Sequence, residues 1–287
     1  MRLVSIGDQV EEGIYPIHSR FKRTVNFRHN DRLVSVVDET IGAGPLNIVL
    51  RDLLSVVGAY RRAARCSTDR RARRSRPTEQ ANRVGPLVVY RDHIRFAGQT
   101  FRFTARHRYC STLDCRSGPR FAENLSLFGE LLKATSHPQS LAFLIDDRRA
   151  GNFRTDFERE FANQVRHSVN HIFLGNRIRG VQTLAGCGIG LTPSGDDFIA
   201  GHLIGLHWRG ENAEEVFEAA RSNNIFSNTF LDLARQGRLF GRMKNLLVAL
   251  THGSKAAVEE TARSLFAVGG TSGADLGTGF YMTVCAA

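Results

Sequence analysis

Residues 186–201 read GCGIGLTPSGDDFIAG: glycines at alternate positions, a Thr-Pro-Ser-Gly turn, two adjacent aspartates and an apolar run. Glycine lets backbone approach a ligand closely. Gly188, Gly190, Thr192, Ser194 and Gly195 therefore form a candidate cradle of N–H groups and hydroxyls for a small anion. A helix starting at that turn would aim the positive end of its peptide dipoles at a phosphate or carboxylate. Asp196 and Asp197 place negative charge at the same end. Either a cation such as Mg²⁺ bridges them to the anion, or one acid turns away as a cap while the other handles a proton. They are the candidate catalytic pair. No cofactor is otherwise indicated. The nucleotide fingerprints both fail, because a P-loop needs a Gly-Lys-Ser/Thr ending and the dinucleotide motif needs a third glycine where Leu191 stands.

The pattern Ser-Gly-x-Asp-apolar-x-x-Gly occurs twice, at Ser194–Gly201 and at Ser272–Gly279, 78 positions later. Two helices that start alike could converge on one place, with Thr271, Ser272, Gly273 and Asp275 completing a two-lobed binding site. The plain rival is a capping-box variant, in which each serine caps its own helix and each acid reaches back. Gly201, Gly205 and Gly279 would then serve close helix packing. Capping leaves Gly186, Gly188, Gly190 and Asp196 without a reason.

The remaining candidates are weaker. His167 and His171 have the i, i+4 spacing of paired metal ligands but lack the glutamate of the His-Glu-x-x-His site. They fall off the face made by Phe157, Phe161 and Val165, so they read as solvent-facing. His202 and His207 read as buried, hydrogen-bonded histidines before catalytic bases. Cys187 lies near a possible helix start, which can depress a thiol pKa. Neither Cys187 nor Ser194 has an identifiable base to make it a nucleophile.

The elements that must position these residues change character along the chain. Val34–Asp38, Leu46–Leu50, Leu87–Tyr90, His93–Phe96 and Phe101–Thr104 read as strands, with Arg91 and Asp92 as a hairpin link. From about Asn124 the apolar period becomes helical, with Leu125, Phe128, Leu131 and Leu132 on one face and Phe157, Phe161, Val165, Val169 and Ile172 on another. Further helices are expected at 197–208, 213–221, 226–235, 239–250, 256–266 and 272–284. Strands first and helices second is an α+β pattern. The expected division is a β-rich domain over 1–120 and a helical domain over 121–287.

With 287 residues, 42% of them hydrophobic, the chain can build a sizeable core. No apolar run approaches the roughly 20 residues of a membrane span. Acids at Asp8, Glu11 and Glu12 interrupt any secretory leader, and five cysteines without a CxxC pair suggest a reducing cytoplasm. Of the net charge of +11, residues 61–76 carry eight arginines and one aspartate, or +7. Without interleaved aromatics this tract reads as a solvated loop or frayed helix before a phosphate-binding arm. A nucleic-acid binder acting through it is the third of three readings.

The TPSGDD string resembles the AllH-like family, tied to oxamate carbamoyltransferase. The resemblance rests on GIGLTPSGDDFIAG and GTSGADL, extended loosely by GAGPLNIVL from Gly42 and by Ser227, Leu231, Ala234 and Gly237. It implies a cytoplasmic transferase subunit that works with two larger partner chains in ureide (allantoin) catabolism, interconverting oxalurate and phosphate with oxamate and carbamoyl phosphate. Carbamoyl phosphate, oxamate or a similar small anion would be the substrate. A non-catalytic assembly or regulatory subunit, in which the motifs only shape packing, is the second reading. No membrane partner is implied.

Overall fold

A computed structural model of the chain describes residues 1–53, 84–113 and 118–286. The arginine tract of residues 61–76 lies outside the described residues. The chain divides into two compact units, Met1–Ser111 and Thr112–Ala287. The first is built of strands and the second of helices, which makes the fold α+β.

In the first unit the strands are β1 (Arg2–Gly7), β2 (Gly13–Tyr15), β3 (Ile17–Phe21), β4 (Thr24–His29), β5 (Arg32–Asp38), β6 (Asn47–Arg51), β7 (Leu87–Val89), β8 (His93–Phe96), β9 (Gln99–Arg102) and β10 (Arg108–Tyr109). One sheet has the order β10-β1-β6-β5-β4-β3 and the other β2-β7-β8-β9. The β1–β10 and β5–β6 pairs are parallel. Leu33, Val34, Val36 and Val37 of β5 are all buried, the near-continuous apolar reading of a central strand. Phe27 and Phe96 meet edge-on at 6.0 Å and tie the two sheets' cores together.

The Arg91–Asp92 hairpin is present, closed by the Tyr90 N–H donating to the His93 carbonyl at 2.8 Å. The strand expected at Phe101–Thr104 starts two residues earlier. Ala97 and Gly98 both adopt positive φ, 50° and 74°, which gives a two-residue turn and pairs Phe96 with Gln99.

The helical unit contains α1 (Phe121–Thr135), α2 (Asp156–Phe173), α3 (Arg177–Leu184), α4 (Ser194–Arg209), α5 (Glu214–Ala220), α6 (Ile225–Arg235), α7 (Gly241–His252), α8 (Lys255–Phe266) and α9 (Ser272–Cys285). In α2 the buried stripe is Ala162, Val165, Ser168, Val169 and Ile172. Phe157, placed on that stripe by periodicity, is 74% exposed. It lies in the first turn, where Thr155 and Glu158 form a capping box: the Glu158 N–H donates to Thr155 Oγ1 and the Thr155 N–H to Glu158 Oε2.

Helix α4 is buried on every side from Gly195 to Leu206, so it shows no polar face. It is the central helix, and α9 crosses it through two reciprocal contacts. A Cβ on Gly201 would overlap the Leu276 carbonyl, and a Cβ on Gly279 would overlap the Phe198 carbonyl. Each glycine thus admits backbone of the opposite helix at the same position of the repeat. Gly205 similarly accommodates the Thr283 side chain, and Gly277 lies against Phe128. Among the described residues no helix is long and apolar enough to cross a membrane.

Because the obstacle at the crossing is backbone and cannot rotate away, Gly201→Ala and Gly279→Ala should each destabilise the unit by about 2 kcal/mol or more. Urea melts followed by circular dichroism check this. A loss below about 0.5 kcal/mol at either position would mean the helices can separate without cost.

Candidate functional site

The loop from Ala185 to Pro193 links α3 to α4. Gly188 and Gly190 both have φ of 119°, a conformation that L side chains rarely adopt, and a Cβ on Gly188 would press on the Ser194 nitrogen. The Asn224 side-chain amide donates to the Leu191 carbonyl at 2.8 Å. Ile189 is left 87% exposed at the tip.

The two adjacent aspartates have separate jobs. Asp196 accepts from the Gly186 N–H at 2.7 Å through one oxygen and from the Ser227 hydroxyl through the other, bracing the loop against α6. Asp197 faces the start of α9, and the hydroxyls of Ser272 there and of Thr192 at the end of the glycine loop lie close enough to favour its ionised form. Asp275 is the counterpart: it accepts from the Leu141 N–H at 2.6 Å and lies beside the hydroxyls of Thr271 and Ser194. Ser194 and Thr271 also approach one another, with 3.4 Å between their oxygens. The two Ser-Gly-x-Asp motifs therefore meet in space and are crossed, each serine lying beside the other motif's aspartate.

This arrangement replaces the capping reading. Ser194 and Ser272 are the first residues of their helices, Pro193 and Thr271 occupy the cap positions, and neither makes a side-chain cap. The N–H groups of Gly195 and Asp197 are taken by the carbonyls of Cys187 and Pro193. A ligand at this helix start would thus meet Ser194 and Asp196 as the first-turn donors that the loop leaves over.

Both motif acids are buried, Asp197 at 2% and Asp275 at 0% exposure. Loss of hydration pushes Asp197 up to about 8, helped by the charge of Asp275, while hydrogen bonds from Ser272 and Thr192 oppose the rise. Burial likewise pushes Asp275 up to about 7 against the Leu141 N–H and the hydroxyls of Thr271 and Ser194. Each carboxyl keeps its Oδ2 buried without a hydrogen-bond partner. No ion pair reaches either acid among the described residues, and burial favours the protonated form of both, so that at neutral pH Asp197 is largely a neutral carboxylic acid.

The other candidates stay outside this constellation. His202 is buried with Nδ1 at 2.7 Å from Thr283 Oγ1, and burial pushes it down to about 3, so it is a neutral core histidine. His167 and His171 bring their Nε2 atoms to 3.1 Å on the outer side of α2. Among the described residues no three His, Cys, Asp or Glu side chains converge as a metal cradle. The Cys187 thiol is raised by burial and then by Asp196, contrary to the depression expected from a helix start. Asn224 and Leu141 were not foreseen. A lone Asn before a helix and a backbone N–H from a distant turn carry no signature in sequence.

The comparison with known families falls on this same stretch. Residues 184–284 match the model of the family described as oxamate carbamoyltransferase subunit AllH. Over this segment, about a third of its length, the chain is similar to that family. The matched segment runs from the last residue of α3 to the last turn of α9, so it contains the glycine loop, both motifs and both crossing glycines. Neither the curated proteins nor the solved structures contain a match to the chain.

The raised acids fix a pH dependence. Asp197 binds its proton more tightly folded than unfolded, so stability is fully present below about pH 4 and is lost as pH rises toward about 8. Asp197→Asn should match the native melting temperature near pH 4 and exceed it by roughly 5 °C or more at pH 8. Parallel melts across that range measure it. A constant difference would mean that Asp197 is ionised throughout.

Proposed function

We propose that this chain is a cytoplasmic subunit of an oxamate carbamoyltransferase, and that the crossing of α4 and α9 forms its small-anion site. The observation that carries this reading is the rim of four hydroxyls, Thr192, Ser194, Thr271 and Ser272, over two buried carboxyls. All four rim residues are partly exposed. The match to the family described as oxamate carbamoyltransferase subunit AllH supports it, since a subunit implies partner chains; on the proposed reading two larger chains complete the enzyme.

The chemistry needs what the pair offers. When phosphate attacks the carbamoyl carbon of oxalurate, a C–O bond forms and the C–N bond to oxamate breaks, with its electron pair left on nitrogen. An amide anion is a poor leaving group, so that nitrogen needs a proton as the bond breaks. Asp197, neutral near pH 7, supplies it through the Thr192 or Ser272 hydroxyl. The proton carried by monohydrogen phosphate returns to the Asp197–Asp275 pair, leaving oxamate and carbamoyl phosphate. Neutral carboxyls also let anionic substrates approach without repulsion, and Gly190 leaves the loop backbone open to them, whereas Gly188, Gly195 and Gly273 serve close contacts within the chain itself. Asp196 is a positioning residue that holds the loop.

The test is turnover by the enzyme assembled from this chain and its partners. Asp197→Asn should keep phosphate binding within about threefold and lower phosphorolysis of oxalurate by ~100-fold. The native rate should fall as pH rises through about 8, where the Asp197 proton is lost. Full activity of the variant would remove the catalytic assignment and favour an assembly or regulatory subunit.

A further inference from the structure

The crossing has an internal twofold symmetry that reaches beyond the two four-residue motifs. In the first arm, Cys187 N–H donates to Leu184 O at 3.0 Å and Gly195 N–H to Cys187 O at 2.8 Å. In the second, Val268 N–H donates to Leu265 O at 2.9 Å and Gly273 N–H to Val268 O at 3.1 Å. A Cβ on Gly195 would overlap Leu184 O, and one on Gly273 would overlap Leu265 O. The α3–loop–α4 and α8–loop–α9 segments are thus the same device built twice, and each delivers one aspartate with one orphan Oδ2 to the crossing.

The two arms differ in one respect. The chain advances eight residues from Cys187 to Gly195 but five from Val268 to Gly273, and the three extra residues lie in the stretch that holds Gly188 and Gly190. The longer loop brings more backbone N–H groups, which suits the more highly charged anion.

We infer that the site is two quasi-equivalent anion half-sites related by this internal twofold: phosphate on the Asp197 side under the long glycine loop, and the oxamate carboxylate on the Asp275 side under the short loop. The transferred carbamoyl group would then lie between them, near the axis. This rests on the carbamoyltransferase reading above. It adds which arm takes which substrate. Each orphan Oδ2 is a buried polar atom that no protein group among the described residues completes; carrying the carboxyl proton it is a donor that an anion oxygen would satisfy, which is the independent sign of a ligand. The groups that face the two acids are Asp196, beside Asp197, and the four rim hydroxyls; His202, further along α4, is neutral and committed to Thr283.

Calorimetric binding of phosphate alone and oxamate alone to the assembled enzyme tests the assignment, since neither reacts without a carbamoyl donor. Each half-site is probed by two conservative variants, so that one poorly folded protein does not decide the result. Thr192→Val and Ser272→Ala, which remove the hydroxyls on Asp197, should weaken phosphate by ~10-fold and leave oxamate within about threefold. Ser194→Ala and Thr271→Val, which remove those on Asp275, should do the reverse. Equal weakening of both ligands by all four variants, or the opposite split, would overturn the half-site assignment while leaving the carbamoyltransferase reading intact. Failure of the native assembly to bind either ligand would instead overturn that reading, and this inference with it.

Discussion

Backbone contact between α4 and α9 is the constraint on which the site depends. Gly201 admits the Leu276 carbonyl and Gly279 admits the Phe198 carbonyl, and nothing larger than hydrogen fits at either position. With the axes drawn together there, the first turns of the two helices converge one turn earlier, bringing Ser272 to Asp197 and Ser194 to Asp275. A side chain at either crossing glycine would move the hydroxyls off the opposite acids. Packing and chemistry are set by the same residues.

The crossing also fixes the electrostatics. With no cation beside them among the described residues, two carboxyls resist being ionised together in a dry interior at neutral pH, because hydration is lost and each raises the other's cost of ionisation. Asp196, next in sequence to Asp197, shows the contrast. Its two oxygens are occupied by the Gly186 N–H and the Ser227 hydroxyl, so it is committed to holding the loop. Adjacent acids at one helix start thus divide into a brace and a proton carrier. Their hydrogen-bond partners, contributed by α6 and by α9, make the difference.

Much of this was legible in the residues. The change from short β-branched runs to helical periodicity gave the α+β class, and the repeat at 78 positions pointed to two helices with like beginnings. Strands with apolar runs, such as β5 and β6, were evident. β3 was not, because IHSRF has a single aliphatic residue and lies at a sheet edge where little is buried. Helix α3 was missed because only Gly180, Val181 and Leu184 face the core, too few to set a period. At the site, residue types were readable but partnership was not. Local spacing favours each serine capping its own helix, and only the tertiary crossing hands it to the other helix's acid. The Leu141 N–H that binds Asp275 comes from 134 positions away, beyond any local pattern.

The account's central claim is that the α4–α9 crossing holds a protonated carboxyl pair that an anion can reach. Carboxyl-carbon NMR of the full chain, selectively labelled at aspartate and titrated from pH 5 to pH 9 with and without phosphate, tests it most directly. The account predicts two aspartate resonances, removed singly by Asp197→Asn and Asp275→Asn, that titrate near neutrality and move when phosphate is added. Aspartates that are all ionised at pH 7 and indifferent to phosphate would contradict it.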